Sequence, residues 1–140
     1  MKDASRSTDA YSQTTHQINV SVYCHYLEGQ SRPDKQHFFW AYHVRIENRG
    51  DIAAQLLTRH WRIVNAWGQI HDVIGDGVVG EQPVLKPGDI FEYTSGTPLS
   101  SGSGFMSGSF RMISASGEQF NVEVPSFSLD RDHGSRSLVH

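Results

Sequence analysis

The residues best spaced for chemistry are three glycines. Gly75, Gly77 and Gly80 form a G-x-G-x-x-G, the pattern by which a loop brings backbone N–H groups around a phosphate. In a dinucleotide-binding loop the third glycine opens a helix whose N-terminus holds the pyrophosphate. Here Glu81-Gln-Pro-Val-Leu-Lys-Pro-Gly88 follows, and its prolines with Gly88 leave no room for that helix. Asp72, Asp76 and Glu81 surround the loop and repel phosphate. The favoured reading is that these glycines supply positive φ in tight turns or bulges at strand ends. The alternative is a non-helical nest in which Gly75, Asp76, Gly77, Val78, Val79 and Gly80 present amides to a pyrophosphate-bearing nucleotide.

Eight histidines make a divalent metal the next candidate, since imidazole is a good transition-metal ligand. Neither Cys-x-x-Cys nor His-Glu-x-x-His occurs, so no spacing declares a site. His60, His71 and Asp72 are the candidate ligands. His71 and Asp72 are adjacent on an extended segment and point to opposite faces, so only tertiary structure can bring His60 or Asp76 to one of them. Nucleophilic catalysis finds less support: there is no Gly-x-Ser-x-Gly elbow, Ser95 sits in a turn motif, and the carboxylates are scattered. The chain reads as a non-enzyme that needs no cofactor.

The segments that must position these residues read as strands. Ile18, Val20, Val22, Cys24 and Tyr26 alternate with Asn19, Ser21, Tyr23 and His25, the pattern of a half-buried strand that places Cys24 in the apolar register. Phe38, Trp40, Tyr42, Val44 and Ile46 form the clearest apolar face, ending at Asn48-Arg-Gly50. Residues 54 to 67 read as extended, with Leu57, Trp61, Ile63 and Trp67 on one side and Leu56, His60, Arg62 and Val64 on the other. Trp61 suits the core and Trp67, beside Gly68, an exposed contact. Ile90, Phe91 and Tyr93 read as a strand closed by Thr94-Ser-Gly96. Residues 97–104 read as a flexible loop, and strands over 107–113 and 119–127 follow, the last halted by Pro125.

Several blocks together resemble one family. His60-Trp-Arg-Ile63, Gly75-Asp-Gly-Val-Val-Gly-Glu-Gln-Pro83, Pro87-Gly88, Tyr93-Thr-Ser-Gly96, Gly104-x-Met106-x-Gly108 and Pro125-x-Phe127 are similar in order and spacing to the ApaG family, over residues 18–129. The resemblance implies an immunoglobulin- or fibronectin type III-like antiparallel β-sandwich. It also implies a link to cobalt tolerance and magnesium efflux in bacteria, with no settled biochemical activity. Similar domains appended to an F-box protein and a polymerase-interacting protein imply a protein-interaction module.

Composition sets the outer bounds. At 140 residues and 37% hydrophobic the chain suits one packed domain. Residues 1–17 read as a flexible lead-in, 18–129 as the sandwich and 130–140 as a polar tail. A net charge of −3 gives no pull toward nucleic acid or anionic lipid. One cysteine, no signal-peptide core and no bilayer-length apolar run point to the cytoplasm, with no membrane insertion. The expected activity is binding to an unidentified protein partner through Trp67, the Gly75–Gly80 loop and the 97–104 segment, with self-association possible through an uncovered edge strand.

Overall fold

The computed structural model describes residues 11–131. Nine strands follow in order: β1 (Tyr11–Thr15), β2 (Ile18–Tyr26), β3 (Phe38–Asn48), β4 (Ala54–Asn65), β5 (Ile70–Asp76), β6 (Val84–Leu85), β7 (Ile90–Leu99), β8 (Ser103–Ser114) and β9 (Gln119–Asp130). One sheet has the order β1-β2-β3-β7. The other runs β5-β4-β8-β9, with β6 also paired to β4. All pairings are antiparallel, so the expected antiparallel β-sandwich is the fold.

Alternation in the sequence becomes the division between core and solvent. Phe38, Trp40, Tyr42, Val44 and Ile46 are all buried, because every second side chain of β3 faces the opposite sheet. Trp61 of β4 meets them from the other side, its ring centroid 5.3 Å from that of Tyr42 and 6.1 Å from that of Phe110. The two edges of the sandwich differ. Along one, β9 packs on β1 and β2, and the Glu123 amide donates to Thr15 Oγ1 at 3.2 Å. Along the other, β5 and β7 each end a sheet without pairing.

Tertiary pairing overrides three expectations. Residues 11–15, read within the flexible lead-in, form β1, in register from Tyr11 opposite Val22 to Thr15 opposite Ile18. Their polar composition is no obstacle, because backbone hydrogen bonds to β2 hold them, and the Ser12 and Thr14 hydroxyls accept from Asn19 Nδ2 at 3.0 and 2.9 Å. Residues 1–10 of that lead-in and 132–140 of the tail lie outside the described residues. Nor is 97–104 a flexible loop: it forms the end of β7 and the start of β8, with Thr97, Leu99 and Ser101 buried. Pro125 lies within β9, where the pairing with β8 shifts register between Met106 and Gly108; as β9 is a sheet edge, a missing N–H is tolerated.

The fourth difference lies in β4, whose register against β8 shifts at Leu57. One extra residue in a strand reverses its side-chain parity. Ala54 and Leu56 before the bulge therefore face the core together with Trp61 and Ile63 after it, whereas simple alternation places Leu56 on the outside.

Where β3 ends, Asn48 is 1% exposed and ties three segments together. Its Nδ2 donates to the carbonyls of Ile52 and Leu85 at 2.8 and 2.9 Å, and its Oδ1 accepts from the Gly50 amide at 2.9 Å. Truncation leaves these backbone groups without partners, so Asn48→Ala is expected to cost about 3 kcal/mol. A fall in the urea midpoint at unchanged slope checks this, and a loss below about 0.5 kcal/mol contradicts it.

Candidate functional site

The glycine block lies between β5 and β6, which run end to end along β4. Its main contact is with the bulge. The Leu57 carbonyl accepts from the Gly77 amide and from Gln82 Nε2, both at 2.9 Å, while the Leu56 amide donates to the Pro83 carbonyl at 3.0 Å. Within the block, Val78 and Glu81 exchange both backbone hydrogen bonds, at 2.8 and 2.9 Å. The turn between them has Val79 at φ 44° and Gly80 at φ 81°, as a two-residue hairpin with both positions left-handed requires. The amides of Gly77 and Val78, which a phosphate nest needs, are therefore spent on carbonyl oxygens. No helix follows the third glycine, and the turn reading fits Gly77 and Gly80, both at positive φ, whereas Gly75 lies within β5 opposite Arg59.

The block also receives a cation. Arg59 shares the inward register of Trp61 and Ile63, and its Nη1 donates to the carbonyls of Asp76 and Gly77, each at 2.9 Å. Gly75 makes room for it, since a Cβ there would stand 3.0 Å from both terminal guanidinium nitrogens. No carboxylate pairs with Arg59 among the described residues.

Two adjoining hollows open beside this guanidinium, between β5 and β7. The larger, about 440 Å³, has Trp61, Ile63, Val73, Leu99 and Met106 among its walls, with His71 at its side. The smaller, about 310 Å³, lies under Val78, Val79 and Gly80 and reaches Tyr93. Both include Tyr42, Arg59, Trp61 and Ser95. Burial raises the Tyr42 phenol above its ordinary range, against smaller opposing effects of the Ser95 hydrogen bond and the Arg59 charge. Burial raises Tyr93 further, and its Oη is buried without a hydrogen-bond partner. Both phenols keep their protons at neutral pH, so beside Arg59 the cleft presents hydrogen-bond donors. It assembles no nucleophile with an adjacent base.

The proposed metal ligands divide between two faces. Asp72 points outward with His60, whose Nε2 lies 2.8 Å from its Oδ1, and accepts from Arg62 Nε at 3.1 Å. These two hydrogen bonds, His60 first, hold the Asp72 carboxyl below its usual range. His71 lines the cleft instead. Among the described residues no three His, Cys, Asp or Glu side chains gather as a metal would require, and a guanidinium already occupies the one candidate carboxylate. Trp67 lies in the turn after β4, its amide donating to Asn65 Oδ1 at 3.0 Å, with its side chain 61% exposed.

Arg59, Tyr42, Tyr93 and Ser95 escape the reading of the sequence. A signal for Arg59 was present: it is the charged member of an alternating set with Leu57, Trp61 and Ile63. The tyrosines gave none, since an inward Tyr reads as core whether or not its hydroxyl has a partner.

Cys24 packs against the core as expected, its Sγ donating to the Ser128 carbonyl at 3.2 Å. Burial pushes its pKa up to about 11, so at pH 8 its thiolate fraction is about 100-fold below that of an ordinary thiol. Native protein is expected to react correspondingly slowly with a thiol-disulfide reagent and denatured protein at the ordinary rate; equal rates contradict the packing of this half-buried thiol against the core. The loop gives a second pair of expectations. Gly77→Val introduces a side chain at φ 65° against the Glu81 carbonyl and should cost about 2–4 kcal/mol. Val79→Asn relieves a β-branched residue at φ 44° and should gain up to about 1 kcal/mol. Urea midpoints of the two variants, moving in opposite directions, check both.

Comparison with known proteins adds relatives to this geometry. A family model described as the ApaG domain matches residues 28–114. A Protein ApaG from Rhodospirillum centenum is 58% identical over 124 residues, 89% of this chain and 95% of its own. Another, from Parvibaculum lavamentivorans, is 53% identical over 128 residues, 91% of this chain and 98% of its own. A crystal structure from Bordetella pertussis that carries the ApaA name superposes with a TM-score of 0.79 at 42% identity, over 81% of this chain and 92% of that one. None of these names states an activity.

Proposed function

We propose that this chain, which belongs to the ApaG family, is a non-enzymatic binding module that docks a protein partner at the open end of its second sheet. The observation that carries the reading is an apolar row on a solvent face. Val64 of β4 stands between Ile70 of β5 and Phe105 of β8. Ile70 is 57% exposed and Phe105 61%, and the equally exposed Trp67 lies in the adjoining turn. Large apolar side chains grouped on the outside of a sheet favour a contact surface, and aromatic residues supply most of the energy where such surfaces bind.

The strand at that end adds a backbone element. β5 ends its sheet, and Ile74 beyond Asp72 on the same face is 72% exposed. An unpaired edge accepts an added strand from a partner or from a second copy of the chain. A hetero-partner is the primary reading, because two copies paired symmetrically about Asp72 would set like carboxylates against each other. No helix among the described residues is long and apolar enough to cross a membrane, and the proposed setting is the cytoplasm. Any connection with cobalt or magnesium would then run through the partner, since His60, His71 and Asp72 do not converge.

Trp67→Ala and Ile70→Lys test the surface without entering the core. Both variants should keep the wild-type urea midpoint within about 0.5 kcal/mol. In a quantitative pull-down from the native cell, each should lose the partners that wild type retains by tenfold or more, on the order of 1.4 kcal/mol or above. Recovery of the same partners in the same amounts by both stable variants overturns the proposed surface.

A further inference from the structure

Of that apolar row only Ile70 borders the cleft between β5 and β7, which is chemically more specific. Its end under the glycine turn is lined by Arg59, Tyr42, Tyr93 and Ser95. Arg59 commits one terminal nitrogen to the Asp76 and Gly77 carbonyls and has no carboxylate partner among the described residues. Tyr93, 8% exposed, places a buried Oη there without any partner. A buried hydroxyl left unsatisfied is costly and is rarely retained without a use.

Charge and shape narrow what would satisfy these groups. One guanidinium and three neutral hydroxyls favour an anion, and a fork of guanidinium donors matches the two oxygens of a carboxylate. Asp76 also borders the hollow, so a singly charged ligand is repelled less than a phosphate dianion. Next to this polar end, Trp61, Ile63 and Leu99 wall the larger hollow, which suits an apolar group on the same molecule.

We infer that this cleft is a binding site for a carboxylate carried on an apolar group, with Arg59 and the hydroxyls of Tyr42, Tyr93 and Ser95 receiving the carboxylate. Trp61, Ile63 and Leu99 receive the apolar part. Two sources share this chemistry, a free organic acid and the C-terminal end of a peptide with an apolar last residue. Neither requires Trp67, which lies outside the cleft, so loss of the partner surface by Trp67→Ala and loss of this site are separable results.

The test is an NMR amide titration of the full chain with 3-phenylpropionate, its uncharged amide, phenyl phosphate, and a short peptide ending in phenylalanine with a free or amidated C-terminus. Saturable shifts on Val73, Ser95, Thr97 and Leu99 are expected with the free acids, at dissociation constants on the order of 0.1–1 mM. The amidated forms and phenyl phosphate should bind at least about tenfold more weakly, a difference of about 1.4 kcal/mol. The stronger of the two acids identifies the source. Arg59→Gln should weaken binding by tenfold or more, and Tyr93→Phe severalfold. Since Arg59 also supports the glycine loop, Tyr93→Phe is the decisive variant: it removes a hydroxyl with no partner, and its urea midpoint should equal or exceed that of wild type. Equal binding of acids and amides, no saturable shift at about 10 mM, or wild-type binding by a stable Tyr93→Phe each overturn the inference.

Discussion

The open side of this protein depends on one backbone irregularity, the bulge at Leu57. An extra residue in β4 does two things together. It reverses side-chain parity, so that Leu56 and then Arg59, Trp61 and Ile63 all point between the sheets. It also leaves a carbonyl outside the regular ladder, and a buried or half-buried carbonyl must find a donor. Gly77 and Gln82 supply that donor, and the glycine block is folded back on β4 as a result. Without the bulge, Leu56 and Arg59 could not both face the core, and the block would have nothing to clasp.

From this follows the contrast between the two edges of the sandwich. On the β1 and β9 side the sheets approach closely, and polar side chains such as Thr15 and Cys24 reach across to backbone groups of β9. On the β5 and β7 side an inward arginine bonds its loop beside two hollows between the sheets. A guanidinium is costly to bury in an apolar core, and two loop carbonyls with an adjoining hollow are the accommodation seen here. The cleft lies where a charge stands in a core register, and Tyr42 and Tyr93 line it because β3 and β7 present them from the facing sheet.

The two solvent faces serve different ends. The outside of the second sheet carries ionic contacts in its middle, where Asp72 joins His60 and Arg62, and apolar side chains toward the end occupied by Ile70 and Phe105. Exposed ion pairs of this kind add little stability, so their effect lies chiefly in setting the charge beside the apolar row. On the first sheet His43 bonds Glu92 and Thr94 along an exposed row.

By itself the sequence determined the sandwich and most of its inner face, because a strand's period of two writes burial directly into residue order, as in Phe38 to Ile46. It also favoured turns at Gly77 and Gly80, because Pro83, Pro87 and Gly88 forbid the helix that a dinucleotide-binding loop requires. Other features were decided by tertiary structure alone. Strand β1 and the strand ends across 97–104 are held by backbone hydrogen bonds to neighbours, to which polar and glycine-rich composition is silent. Leu56 changed face because a bulge is a relation between two strands and has no signature in one of them. The separation of His71 from His60 and Asp72, and the meeting of Arg59 with Tyr42, Tyr93 and Ser95, depend on which strands end the two sheets. Residue types and spacing along one chain do not encode that distance; packing of the sheets creates it.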